Sequence, residues 1–164
     1  MKKMLAVVLS AAMVMSMSTA VFADTTLEGN SGTTNLIYTT EESYTVTIPA
    51  DIALKDDYFE SSEVKVTNAL LADSSVLAIT VSSENNYKLK CGDSAIDYTL
   101  TGDDRITEEN NEVLRVTSGV KVTDVNSQEL DFETSEEAVK AATLAGEHKD
   151  TLTFNVSLTR DGEA

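Results

Sequence analysis

The side chains best suited to chemistry in this 164-residue chain are few: a single histidine, a single cysteine and a large surplus of carboxylates. His148 sits in Gly146-Glu147-His148-Lys149-Asp150, a polar turn where the imidazole reads as an exposed structural group. A catalytic base needs a nucleophile or an orienting partner close by, and neither His148 nor Cys91 is embedded in a recognisable nucleophile segment. Cys91 follows Leu89 and Lys90 in an alternating segment, which suits a small buried side chain. The alternative is an exposed thiol available for dimerisation or lipidation. One histidine and one cysteine exclude a zinc or copper site built from several such ligands. The chain also lacks a P-loop, a dinucleotide fingerprint and an HExxH sequence. No catalytic residue is assigned, and the expectation is a protein that is not an enzyme.

Carboxylates offer two further kinds of chemistry. Between Gly102 and Glu109, Asp103, Asp104, Glu108 and Glu109 place four acids in seven positions, and such charges repel one another unless screened or bridged by a cation. Loop oxygens of this kind can hold Ca²⁺, although the spacing is not that of the twelve-residue helix-loop-helix site. These four residues form the candidate metal loop, and Ca²⁺ is the one cofactor considered. Two carboxylates could also serve as the acid and base of a glycosidase. Nothing separates such a pair from the general acidic excess, and with no Trp and five Tyr the chain lacks the usual stacking platform for sugars.

The elements that would position these groups read as strands. Met1-Lys2-Lys3-Met4 is basic, and the stretch from Leu5 to about Met15 is uncharged and apolar, the pattern of a secretory signal peptide too short to span a bilayer. Val21-Phe22-Ala23 supplies small residues at the −3 and −1 positions, so residues 1–23 are expected to be removed, with cleavage after Ala20 as the alternative. Residues 24–34 are rich in Gly, Ser and Thr and read as a flexible leader. Residues 35–164 then form one domain.

Within that domain, Tyr44, Val46 and Ile48 alternate with Thr45 and Thr47, and Leu152, Phe154, Val156 and Leu158 alternate with Thr153, Asn155, Ser157 and Thr159. A helix scatters such a set around its surface, whereas a strand gathers it on one face. Further strands are expected at 36–39, 52–54, 64–70, 76–81, 87–91, 96–101, 113–116, 120–123 and 130–132, linked by turns such as Ser83-Glu84-Asn85-Asn86 and Gly92-Asp93. One helix of two to three turns is expected, capped by Ser135, led by Glu136 and Glu137 and stopped by Gly146. Too short to stand alone, it must pack through Val139 or Ala142. The fold class is all-β: an immunoglobulin-like or related Greek-key β-sandwich with one short helix before the last strand.

Once Lys2 and Lys3 leave with the signal, 28 acidic residues face 10 basic ones, a formal charge of −18. Such a field repels nucleic acid and bare anionic lipid and attracts cations or a basic partner. No later segment is apolar enough to span a membrane, so no transmembrane anchor is expected.

Tyr44-Thr45-Val46-Thr47-Ile48-Pro49-Ala50 and the closing segment from Leu144 through Leu158 resemble the small secreted surface proteins of Gram-positive bacteria that carry WxL-type domains. In these a "TVTIPA" opening and an alternating closing strand frame an all-β domain. The resemblance implies non-covalent attachment to peptidoglycan or to partner surface proteins. The chain departs from the pattern in having no Trp, with Phe154 at the place of the Trp in Trp-x-Leu and Val156 after it. The expected function is that of a secreted or surface-attached, non-enzymatic structural and adhesion protein binding a cell-wall polymer or surface proteins. Two alternatives remain open: a carbohydrate- or small-ligand-binding module, with or without the help of calcium, and a self-assembling subunit that exchanges strands, a homo-oligomer joined through its edges.

Overall fold

The structure, a computed structural model, describes residues 38–54 and 58–160. The expected signal peptide (residues 1–23) and leader (residues 24–34) lie outside the described residues. Eight strands and one helix follow in the order β1 (Ser43–Thr47), β2 (Phe59–Leu70), β3 (Ser75–Ser83), β4 (Lys88–Cys91), β5 (Ser94–Thr101), β6 (Glu112–Thr117), β7 (Asn126–Thr134), α1 (Glu136–Lys140) and β8 (Leu152–Arg160). They form two antiparallel sheets, a five-stranded one in the order β1-β2-β7-β5-β4 and a three-stranded one in the order β6-β3-β8. The domain is an all-β sandwich with its short helix just before the final strand.

Alternation builds the core. Leu77, Ile79 and Val81 on β3 face Val64 and Val66 on β2, Leu100 on β5 and Leu130 and Phe132 on β7, and all are buried in a single cluster. At roughly 1.5–3 kcal/mol per fully buried aliphatic side chain, these inward rows carry the fold. Two bulges adjust the rows. Asn68 takes a left-handed φ of +54°, after which the inward positions of β2 shift from Val64 and Val66 to Ala69. The pairing of β3 with β6 slips between Ile79 and Thr80, so that Val113 and Val116, three apart, both point inward. An extra residue in one strand is what allows this change of phase.

Several expected elements differ. Residues 52–54 and 120–123 are not strands, yet Ile52, Leu54 and Val120 still pack against the core. Apolar residues can seal a sandwich from its connections without joining a ladder, and a pattern of burial does not distinguish the two cases. Of the strand expected at 36–39, only Tyr38 and Thr39 are described. They are not in a strand, and Tyr38 is 89% exposed.

The helix is also shorter than expected, ending at Lys140. Ser135 does cap it, accepting a hydrogen bond from the Ala138 amide at 3.1 Å. Thr143, however, donates its amide to Ser94 Oγ at 3.0 Å, which draws the chain off the helical path before Gly146. Ala138 and Ala142 are half-buried, while Val139 is 37% exposed.

Candidate functional site

Single residues first. His148 is half-buried and not the solvent-exposed imidazole its sequence context suggests. Its Nε2 lies 3.0 Å from Ser94 Oγ and its Nδ1 3.2 Å from the Gly146 carbonyl. With Nδ1 protonated, the ring donates to that carbonyl and accepts from Ser94, which itself accepts from the Thr143 amide. A serine, a histidine and an orienting carbonyl in line are the parts of a nucleophilic pair. Ser94 is 2% exposed, however, so no substrate carbonyl reaches its oxygen in this arrangement. What the trio does is staple the segment after α1 to the β4–β5 turn. Cys91, half-buried and free, lies under the same segment, its sulfur 3.3 Å from where a Cβ on Gly146 would stand. No sequence signal joins Ser94 to His148, because their 54-residue separation is bridged only by the fold.

The four acids of the candidate calcium loop are all exposed, and the loop does not hold them together. Thr101 bridges to Arg105, and the Gly102 amide donates to the Asp104 carbonyl at 2.9 Å, while Ile106 turns inward and is buried. Asp103 and Asp104 line one small cleft and Glu108 lines another, with Ile106 contributing to both. Among the described residues no three or more Asp, Glu, His or Cys side chains gather into a group that could hold a metal ion.

The larger cleft, of about 730 Å³, is open and lined by Tyr87, Asp97, Thr99, Arg105, Glu108 and Glu133, among others. It forms where β5 outruns the short β4, which pairs only with Ser94–Asp97. Tyr87 packs edge-on against Tyr98, with ring centroids 6.0 Å apart. Burial, reinforced by the negative charges of Glu108 and Asp150, pushes the Tyr87 hydroxyl up from its ordinary value. That hydroxyl is buried and has no hydrogen-bond partner among the described residues.

Asp150, just before β8, is the polar hub of this end of the molecule. Its Oδ2 accepts from Ser83 Oγ and from Tyr98 Oη, both at 2.6 Å, and its Oδ1 accepts from the amides of Asn85 and Thr151 at 3.0 and 2.8 Å. Burial first, and then the bond to Asp150, push the Tyr98 hydroxyl far above its ordinary value. At the other end of β8, Arg160 pairs with Glu42, which also accepts from the Ala72 amide at 2.8 Å and from Ser75 Oγ at 2.9 Å. The Ala72 amide is the main cause, and Arg160 the next, of a Glu42 carboxyl held below the usual range.

Between these two anchors runs the most distinctive surface of the domain. β8 pairs with β3 along its whole length, and among the described residues no strand pairs with its other edge. The inward face of β8 is therefore covered on one flank only. Leu152 and Phe154 are half-buried against the core, but Val156 and Leu158, aligned with the fully buried Ile79 and Leu77, remain 40% and 36% exposed. The sequence expectation that all four line a closed interior is corrected for these two residues. Edge position is the reason.

The three other edges are protected in the usual way, by brevity and charge. β1 has five residues, β4 has four including Lys88 and Lys90, and β6 has six including Glu112 and Arg115. β8 has nine and carries no charge before Arg160. No protein-family model, curated protein or solved structure matches the chain.

Proposed function

We propose that this is a non-enzymatic, secreted or cell-surface structural and adhesion protein that binds cell-envelope components or partner proteins through the open edge and inner flank of β8. The observation that carries this reading is a nine-residue strand edge that no described strand covers and that carries no charge before Arg160, in a chain with 28 acidic residues. Proteins usually suppress such edges because they recruit further strands. A bare edge anchored at both ends suits β-strand addition, in which main-chain hydrogen bonds give affinity and flanking apolar positions give selectivity. The signal-like first 23 residues and the resemblance to WxL-type surface proteins support an extracellular setting. Among the described residues no helix is long and apolar enough to cross a membrane.

The test is a pull-down of the chain from Asp24 onward against isolated cell walls and extracted surface proteins, run beside the Ser157→Lys variant. Ser157 is exposed on the outer face of β8, so a lysine there charges the edge while sparing the core. Saturable binding that the variant loses is the expected result. Binding that is absent, or indifferent to the change, refutes the reading.

A second reading, as a binder of a small polar ligand or carbohydrate, is favoured by the cleft beside Tyr87, whose buried hydroxyl lacks a protein partner. A glycan array probed in the presence and absence of millimolar Ca²⁺ tests it, and silence on both arrays removes it.

A further inference from the structure

We infer that the occupant of the β8 edge is β8 of a second copy of this chain, paired antiparallel about a two-fold axis through Val156 and closing a symmetric dimer. The inference rests on the proposed reading of β8 as the binding edge and names the partner at that edge.

Three observations carry it. The first is self-complementarity. A two-fold at Val156, the middle residue of Leu152–Arg160, sets Phe154 opposite Leu158, Asn155 opposite Ser157 and Thr153 opposite Thr159. Antiparallel pairing about such an axis keeps each side chain on its own face. Phe154, Val156 and Leu158 of both copies then form one apolar row on the core side, and the row is covered where the isolated domain leaves Val156 and Leu158 partly in water. An isologous contact of this kind closes on itself and ends at two copies.

The second observation is the mismatch between the layers, five strands against three. The exposure of Val156 and Leu158 shows that the larger sheet does not roof this end of β8, which leaves room for another strand beside it. Two copies together give a continuous six-stranded layer.

The third is charge. Two chains this acidic repel one another over most of their surfaces, and among the described residues the β8 edge is the one long strand edge on which they can meet without bringing carboxylates together. The nine residues of β8 hold no carboxylate, and the one cation among them, Arg160, is paired with Glu42.

Sedimentation or light scattering of the chain from Asp24 onward, from micromolar to millimolar concentration, tests the inference. The expected result is a monomer–dimer equilibrium that shifts towards dimer as NaCl is raised from about 20 to about 300 mM, because salt screens the mutual repulsion of the acidic bodies. Val156→Lys abolishes the dimer while its unfolding midpoint stays close to that of the parent, since the side chain already reaches solvent. Val156→Cys in a Cys91→Ser background links into a covalent dimer under mild oxidation, because residues directly opposite in an antiparallel pair stand within disulfide reach. Thr117→Cys on the β6 edge, in the same background, does not.

A strict monomer at every concentration, or a dimer that survives Val156→Lys, overturns the inference. So does a dimer lost on deletion of the residues before Glu41, which would assign the edge to the N-terminal segment. Envelope binding that depends on β8 in a strictly monomeric protein would leave the proposed function standing while removing this inference. A β8 dimer without envelope binding would do the reverse.

Discussion

Replacing Asp150 by Ala removes one carboxylate that holds three parts of the chain: the β3–β4 turn through Ser83 and Asn85, β5 through Tyr98, and the start of β8 through Thr151. Hydrogen bonds to a charged acceptor contribute about 1.5–3 kcal/mol each in favourable cases. Asp150 is only half-buried, however, and water can replace part of what the amides of half-buried Asn85 and exposed Thr151 lose. Tyr98 is different. It is 6% exposed, so its hydroxyl is stranded in the interior, at a cost of about 1–3 kcal/mol. Adding about 1–2 kcal/mol for loosening the turn, we expect Asp150→Ala to destabilise by about 3 kcal/mol, and Asp150→Asn, which keeps an acceptor of the same shape, by about half as much. The assay is urea unfolding, with the midpoint shifting and the slope unchanged. A double-mutant cycle with Tyr98→Phe isolates the contact, because a phenylalanine leaves no orphaned hydroxyl behind. A coupling energy of about 1–2 kcal/mol is expected. If the two changes add within about 0.5 kcal/mol, or if Asp150→Ala costs less than about 1 kcal/mol, the hub is not what secures this end of the sandwich.

Other outcomes follow from the same contacts. The Glu42 carboxyl titrates below its ordinary value of 4.5 in the folded protein, so its contribution to stability is complete above that value and is lost as pH falls through the lowered folded one. Glu42→Gln should flatten this part of an acid-unfolding curve and lower stability near neutrality, where the parent holds that contribution in full, so that the two curves converge in acid. At the alkaline end the sign reverses. Tyr98 and Tyr87 are both raised from 10.0, so the unfolded chain releases their protons first and stability should decline as pH climbs past about 10. Tyr98→Phe should weaken that decline, as followed by unfolding midpoints across the range. Phe154→Ala on half-buried β8 should cost about 2 kcal/mol, short of the 3–5 kcal/mol typical of a fully buried Phe, while the exposed Thr153→Ala should stay within about 0.5 kcal/mol. Equal costs at the two positions in chemical denaturation would contradict the assigned facing of β8.

What the sequence made legible was periodicity. The rows of β3, β5 and β8 could be read because inward and outward side chains differ in kind at every second position, and a sandwich with a short helix before its last strand followed from them. The strands expected at 52–54 and 120–123 misled because Ile52, Leu54 and Val120 are half-buried for tertiary reasons alone, and Val122 is exposed. The ends of β2 were missed because Phe59, Glu60, Ser61 and Ser62 show no alternation, and their ladder with β7 supplies the order that the side chains do not. The hub at Asp150 and the Ser94–His148 contact were hidden for another reason, since both depend on residues more than 50 positions apart. Nor could composition show which face of the sandwich would be left open. Leu152, Phe154, Val156 and Leu158 look like a central strand, and only the sheet order reveals an edge.

That edge is bare but not loose. A free strand edge binds weakly if it must be straightened and held at the moment of contact, because ordering a strand costs about 1–2 kcal/mol per residue in backbone freedom. β8 meets that cost during folding. The β3 ladder fixes its length, the Asp150 hub its first residues and the Glu42–Arg160 pair its last. Both carboxylates thus sit beyond the stretch available for pairing while fixing its ends, and Leu152 to Thr159 is left as an uncharged, preorganised template. Preorganisation raises affinity by lowering the cost of association. On the proposed reading, Glu42→Gln should therefore weaken β8-mediated association at neutral pH even though it touches no partner, mainly through faster dissociation. Surface plasmon resonance at a temperature well below the unfolding midpoint resolves this. Unchanged dissociation would mean that the ladder with β3 alone holds the edge in shape.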